Sequence, residues 1–381
     1  MSIVDRLKTA DRMCPHEMLA QANHDELAHE YFTLSLKLTL GKNFGAGNRL
    51  AYEKQAKPAF RKKHGRDPAT LDDMHEAMAA NSYRRMYTSL QVSAQDMMWD
   101  SVGMSIEREL PRMEALARRS RESNGKLGSL MLDPTVEMPA YIGHIDIHGQ
   151  PMGYEHNESD DDVVAGALYE SGGNLYSRGV AIGKNDSKAA CMIGFLEETY
   201  PDLKPKRIID LGCSAGSATV PFAEAWPDAE VYGIDIGGGM LRYAHARAES
   251  LGFPVHFEQM NTTKTRYPDG YFDLVVSHNM FHEVTAKDLK GTLKECFRIT
   301  RPGGVVAHLD LPFRNSEKDL FEQYAGDFQT WYNAEPCWRV YTNMDHAGEL
   351  ERAGFARNNI VTTYRARKDG PGAWWIFAAR R

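Results

Sequence analysis

The chain has 381 residues, 42% hydrophobic and 25% charged, with a formal net charge of −7. This fits a globular protein of two domains or one enlarged domain, and the acidic balance argues against a nucleic-acid partner. Residues 1–10 carry no apolar signal core and no run of 18 apolar residues occurs. No membrane contact is therefore expected, and the cytoplasm is the default location.

Residues 1–125 read as helical. A helical pattern over 16–40 stops near Gly41, and Gly45-Ala46-Gly47 follows no strand and reads as a turn. The basic run from Arg61 to Arg66 reads as a solvated loop or helix end. Thr70 is an N-cap candidate, with Asp72 and Asp73 in the first turn behind it. From Asn81, Tyr83, Met86, Tyr87, Leu90, Ala94, Met97 and Met98 recur at helical spacing. Pro111 is expected to end or kink that helix. The Met-rich stripe reads as packing, with a substrate-lining face or a dimer contact as the alternative.

Residues 125–178 are rich in Gly, Pro, Asp and Asn, and 141–148 alternate like a strand. On a strand, His144, Asp146 and His148 would share one face, a geometry suited to a metal. The wet face of an ordinary strand is the preferred reading, and no metal is expected. The five cysteines form no CxxC pair, so neither a zinc site nor a disulfide framework is suggested. The boundary is set between a mainly helical domain, 1–150, and a second domain, 151–381.

From Lys206 onward strands and helices alternate. Strands are expected over 207–211, 230–235, 255–260, 272–278 and 305–310, with helices beginning near Ala215, Gly238, Thr285 and Ser316. That alternation implies a parallel, doubly wound sheet. Residues 359–365 and 374–379 flank a Gly/Pro turn and read as an antiparallel hairpin.

Ligands of such sheets bind beyond the carboxyl ends of the strands. There Ile209-Asp210-Leu211-Gly212-Cys213-Ser214-Ala215-Gly216 runs from a strand into a glycine turn. A dinucleotide fingerprint needs glycines at 212, 214 and 217, but this chain has Ser214 and Ser217. Asp235 ends the second strand, where an acceptor-only carboxylate can grip ribose hydroxyls. Met240 follows, either on an adenine or in the core. Asn261 follows the third strand, where an amide can read an adenine edge or close a turn. The fourth strand runs into Ser277-His278-Asn279-Met280-Phe281-His282-Glu283. His282, next to Glu283, falls where a reacting group is needed, and an imidazole near pKa 6.5 can take a proton from a phenol or enol. A backbone-bonded structural histidine is the alternative.

Four blocks occur in order: the glycine turn, Gly233-Ile234-Asp235, the run from Tyr267 to Val276, and the stretch from Leu293 to the Arg301-Pro302-Gly303-Gly304 turn. Together, over about residues 176–381, they resemble the class I S-adenosylmethionine (SAM)-dependent methyltransferases. The similarity is greatest to ubiquinone/menaquinone-type and small-molecule O-methyltransferases; residues 1–150 resemble no family. The resemblance implies a seven-stranded Rossmann-like α/β sheet with its last strand antiparallel, preceded by the helical region. It implies that Asp210, Gly212, Ser214 and Gly216 surround the methionine moiety and Asp235 holds the ribose. Asn261 stands where the family usually has Asp, and His278 joins the cofactor group. Tyr176-Ser177-Arg178 would fold over SAM, or form an exposed linker. The expected reaction is in-line methyl transfer from SAM to a small-molecule acceptor, oxygen first, with His282 as general base beside Glu283. Sulfur or nitrogen acceptors, a non-methylating SAM-binding or partner-binding protein, and an NAD-type oxidoreductase remain alternatives. The N-terminal helices are expected to cover the pocket, with Tyr83, Met86, Tyr87, Met97, Met98 and Trp99 as candidate acceptor contacts, and to offer a homodimer contact.

Overall fold

The computed structural model describes residues 16–124, 126–176, 187–368 and 372–381. Cys14, Ser177-Arg178 and the hairpin tip Asp369-Gly370-Pro371 lie outside the described residues.

Apolar residues on both sides of each central strand create the sheet. Ile208, Leu274, Val276, Val305 and Ala307 pack into one buried cluster, while Ile209, Val275 and Val306 between them join a second. This period-two alternation with both faces apolar marks a strand covered on both sides. The strands are β1 (Ser129–Met131), β2 (Arg207–Leu211), β3 (Glu230–Asp235), β4 (Val255–Gln259), β5 (Phe272–His278), β6 (Thr300–Asp310), β7 (Ile360–Ala366) and β8 (Ala373–Arg380). They lie in the order β1-β4-β3-β2-β5-β6-β8-β7. β1 to β6 run parallel, and β8 pairs antiparallel with both β6 and β7. Strand order reverses at β2, which opens a crevice above Gly212.

The described sheet thus has eight strands, where seven were expected. The addition, β1, is a three-residue edge strand beside β4, too short to carry a periodic signal. It comes from the region assigned to the helical half.

The N-terminal half is helical, with α1 (His24–Thr39), α2 (Leu71–Ala79) and α3 (Ser82–Glu122). Asn23 and Glu26 form a capping box on α1, and Thr70 and Asp73 form one on α2. Three local expectations are overturned here. Gly45–Ala51 is helical rather than a turn. A Cβ on Gly47 would stand 2.0 Å from the Tyr83 hydroxyl oxygen, so the small residue serves close helix contact. Pro111 does not end α3, which runs for 41 residues. Met98, Val102, Ile106, Met113 and Leu116 lie in one core cluster spanning the proline, and that packing outweighs a local penalty of about 3 kcal/mol. Residues 141–148 form no strand: Ala140–Gly143 is a helical turn and His148 has φ 59°.

Helices α4 (Val164–Tyr176), α5 (Ser187–Thr199), α6 (Gly238–Leu251) and α7 (Ala286–Ile299) complete the layers. Phe195 of α5 and Leu241 of α6 cover one sheet face, and Leu289 and Leu293 of α7 cover the other. Tyr243 and Ala246 of α6 also pack against α3 and α4, joining the two halves. No described helix is long and apolar enough to cross a membrane.

That junction encloses a charged knot. Glu170 of α4 accepts from Arg247 Nε at 2.9 Å and Tyr243 Oη at 2.5 Å, and lies 3.1 Å from His16 Nε2. Burial raises the pKa of its carboxyl group, but His16 and Arg247 outweigh that and hold it at about 2. A depressed carboxylate contributes its full stability above its unfolded value, here 4.5, and loses it as pH falls towards about 2. Glu170→Gln removes the counter-charge of the buried Arg247 guanidinium. It is expected to cost about 3–5 kcal/mol at neutral pH and to flatten the acid dependence in that window. Denaturant titrations between pH 7 and 2 check both; equal stability of the two proteins at neutral pH would rule out this role for Glu170.

Candidate active site

The carboxyl ends of β2, β3, β4 and β5 bring the sequence-selected residues to one edge of the sheet. Gly212 turns the chain out of β2 at φ 65°, and a Cβ there would lie 2.7 Å from Met280 Cγ. Only glycine fits a left-handed turn pressed so closely on a side chain. Ser214, at φ 46°, donates its backbone N–H to Asp235 Oδ2 at 2.9 Å, and Gly237 N–H donates to Oδ1 at 2.9 Å. Burial raises the Asp235 pKa, and these N–H groups counter it. Each oxygen keeps further lone-pair capacity for a ligand hydroxyl.

Gly212, Ser214, Asp235, Met240 and Asn261 line one cavity with about 770 Å³ of free space, part of it open to solvent. Asn261 Oδ1 accepts from Thr263 N at 2.9 Å and Thr263 Oγ1 at 2.7 Å, so its carbonyl closes the local turn. The other three cofactor candidates sit behind this wall. Asp210 accepts from Thr219 Oγ1 at 2.7 Å and lies 3.1 Å from His278 Nδ1, with both residues buried. Gly216 turns at φ 72° against Ala244 and Phe257. These three brace the loop from beneath.

A second cavity, with about 1270 Å³ of free space also partly open, shares Tyr154, Tyr169, Asn279 and Glu283 with the first. Trp99, Trp338, Trp374 and Phe313 give it aromatic walls. Of the aromatic and Met residues expected to reach an acceptor from the N-terminal helices, Trp99 is in this lining. Tyr83 and Tyr87 stack on Phe44, and Met98 is core.

On the turn Phe281–Glu283 after β5, Glu283 lines both cavities and His282, next to it, lines the second. His282 Nδ1 is 2.6 Å from Asp310 Oδ1, and Asp310 Oδ2 accepts from Phe281 N at 2.9 Å. Burial lowers the His282 pKa, but Asp310 and Glu283 raise it further, to about 9. His148 joins them from the opposite side, with Nε2 3.2 Å from Glu283 Oε1 and Nδ1 3.2 Å from Glu335 Oε1. Burial lowers this imidazole too, and Glu283 and Glu335 raise it to about 10. Tyr154 Oη donates to Glu283 Oε1 at 3.4 Å.

Sequence reasoning placed His148 in the wrong company. His144 and Asp146 do not line the cavity, because the expected strand is absent. Asp310 and Glu335 were missed. Asp310 did carry a signal, as an acid at the carboxyl end of a sheet strand; Glu335 lies in a loop and carried none.

Residues 208–304 match a family described as a methyltransferase domain. A demethylmenaquinone methyltransferase from Anoxybacillus flavithermus is 32% identical over 174 residues, covering 41% of this chain and 73% of the relative. The chain belongs to the class I SAM-dependent methyltransferases. Membership removes the NAD-type alternative and makes SAM the cofactor. The demethylmenaquinone methyltransferase of Thermus thermophilus is 35% identical over 108 residues, 28% of this methyltransferase and 48% of the relative. The chain therefore spans about half the length of that relative. A solved Haemonchus contortus phosphoethanolamine N-methyltransferase 2, in complex with S-adenosyl-L-methionine, is 15% identical with a TM-score of 0.37. It covers 50% of this methyltransferase and 51% of its own chain.

The first cavity fits that cofactor. Gly212 leaves the close approach that a backbone-hugging ligand needs, Asp235 offers acceptors for a ribose diol, and Asn279 Oδ1 is buried with no hydrogen-bond partner among the described residues. Asp235→Ala is expected to weaken SAM binding at least about ten-fold, from the loss of charge-assisted hydrogen bonds of about 1.5–3 kcal/mol. Calorimetry with SAM checks this, and unchanged affinity would remove Asp235 from the ribose role.

Proposed function

We propose that this protein transfers the methyl group of SAM to an oxygen of a small, largely apolar or aromatic molecule. One observation carries the reading: a cofactor-sized cavity and an aromatic-walled cavity share a wall that includes Glu283, and His282 lines the aromatic cavity beside it.

SAM, when bound, supplies an electrophilic methyl group whose bond to sulfur breaks with its electron pair passing to sulfur. The chain holds the other reactant. Trp99, Trp338 and Phe313 bury the acceptor's apolar body, and His282 and Glu283 contact its hydroxyl. Against the effect of burial, Asp310 and Glu283 push the His282 pKa up to about 9. His282 takes the proton as the new oxygen–carbon bond forms only in its deprotonated form, so turnover should climb as pH rises towards about 9. Asp310 sets the ring angle of His282 and acts as a positioning residue. Alignment of this kind supplies an effective molarity of about 10⁵–10⁸ M, against about 10²–10⁴-fold for proton transfer. Pocket shape therefore supplies more of the rate than any single side chain.

His282→Ala is expected to lower turnover about 10²–10⁴-fold while SAM affinity stays within a factor of two or so. The measurement is S-adenosylhomocysteine release across a panel of phenols, enols and hydroxy acids, with SAM affinity read by calorimetry. Full turnover in the variant would place the reacting atoms elsewhere.

A further inference from the structure

The junction carries more ligating chemistry than hydrogen bonding to a hydroxyl requires. One nitrogen each of His148 and His282 and a carboxylate oxygen of Glu283 lie within 4.8 Å of one another. His148 Nε2 is 3.2 Å and His282 Nε2 3.6 Å from Glu283 Oε1. Two ligands bound at roughly 2.1 Å to one ion stand roughly 3.0–3.4 Å apart at right or tetrahedral angles, so each imidazole already stands close to that distance from Glu283, and the two rings close on a cation by drawing together from within 4.8 Å.

The far side of each ring is also built. His282 Nδ1 meets the wholly buried Asp310 at 2.6 Å. His148 Nδ1 lies 3.2 Å from Glu335 Oε1 and 3.0 Å from the Asn333 side-chain amide. Metal-bound histidines characteristically hand their second ring nitrogen to a carboxylate, which sets the tautomer and the ring angle.

His148 is held in a left-handed conformation, φ 59°, that a non-glycine residue keeps only where its surroundings over-determine it. Its N–H donates to the Asn333 carbonyl at 3.0 Å, and its carbonyl accepts from Trp99 Nε1 and Gln95 Nε2, each at 2.8 Å. Two separate segments, α3 and the loop of Asn333, thus fix this one residue at the junction. Charge points the same way: Glu283, Glu335 and Asp310 outnumber the two imidazoles, so the group stays net negative even with both rings protonated.

We propose that His148, His282 and Glu283 form a binding site for one divalent first-row transition metal ion at the acceptor end of the cofactor cavity. Two imidazoles and a carboxylate suit zinc, iron(II), cobalt(II) or manganese better than magnesium or calcium. Three protein ligands leave coordination positions open towards the aromatic cavity. This selects acceptors that present a hydroxyl beside a second oxygen, so that both oxygens reach the ion. The inference rests on the proposed function and recasts His282 and Glu283 as ligands; the acceptor's proton is then lost to water, and its oxygen meets the methyl group as a metal-held anion.

The test uses the full chain, stripped with a chelator and titrated with cobalt(II) under absorption spectroscopy and with zinc by calorimetry. One ion per chain is expected, with visible cobalt bands of low-coordinate geometry. His148→Ala and Glu283→Gln should each weaken zinc binding at least about ten-fold, and an unaltered metal-free thermal unfolding midpoint and circular dichroism spectrum in both show that the fold holds. A featureless cobalt spectrum, or zinc binding indifferent to both substitutions, overturns the metal site. Metal bound without SAM keeps the site and overturns the methyl-transfer reading; SAM bound without metal does the reverse.

Discussion

Asp310, wholly buried at the end of β6, accepts three hydrogen bonds at once. Phe281 N donates at 2.9 Å, His282 Nδ1 lies at 2.6 Å and Leu311 N donates at 2.7 Å. A carboxylate so far from water is tolerated only when its acceptors are filled. Filling them fixes the turn after β5, the exit from β6 and the angle of one imidazole together. Parallel pairing makes this possible, because His278 stands opposite Leu309 and brings the two strand ends level. The location of His282 and Glu283 is therefore a consequence of sheet register.

The same logic governs the cofactor side. Ile208 packs into one buried cluster and Ile209 and Leu211 into the other, so a one-residue slip of β2 would send each side chain into the wrong face of the sheet. With β2 locked, Gly212 and Ser214 emerge beside the end of β3, and Asp235 closes the loop through two backbone N–H groups. Asp210 and His278, beneath the turn, keep it from collapsing into the crevice. The residues that line the cavity and the residues that support the loop are interleaved along the chain. A one-dimensional motif groups them; the fold separates them.

The helical half is more than a lid. Trp99 of α3 reaches the aromatic cavity while its indole N–H holds the His148 carbonyl. Glu170 of α4 joins His16, Tyr243 and Arg247 in one buried ionic group. The knot ties the covering helices to α6, and α6 lies against the sheet. The geometry of the aromatic-walled cavity therefore depends on contacts far from the glycine turn.

Much of this protein was legible in its residues. The period-two apolar runs from β2 to β6, the hairpin of β7 and β8, and Gly212, Ser214, Asp235, Met240 and Asn261 at one cavity all follow from local pattern, since strand ends and turns are local features. The sequence by itself also determined that His282 and Glu283 follow β5. Other features needed the assembled chain. Pro111 stays within α3 because apolar residues on both sides of it are buried in one core. The edge strand β1 exists because β4 offers it a partner. His148 arrives beside Glu283 because Trp99, Gln95 and Asn333 hold its backbone in a conformation that its own sequence disfavours. Only the tertiary structure decided those three, because each depends on long-range contacts that outweigh the local preference.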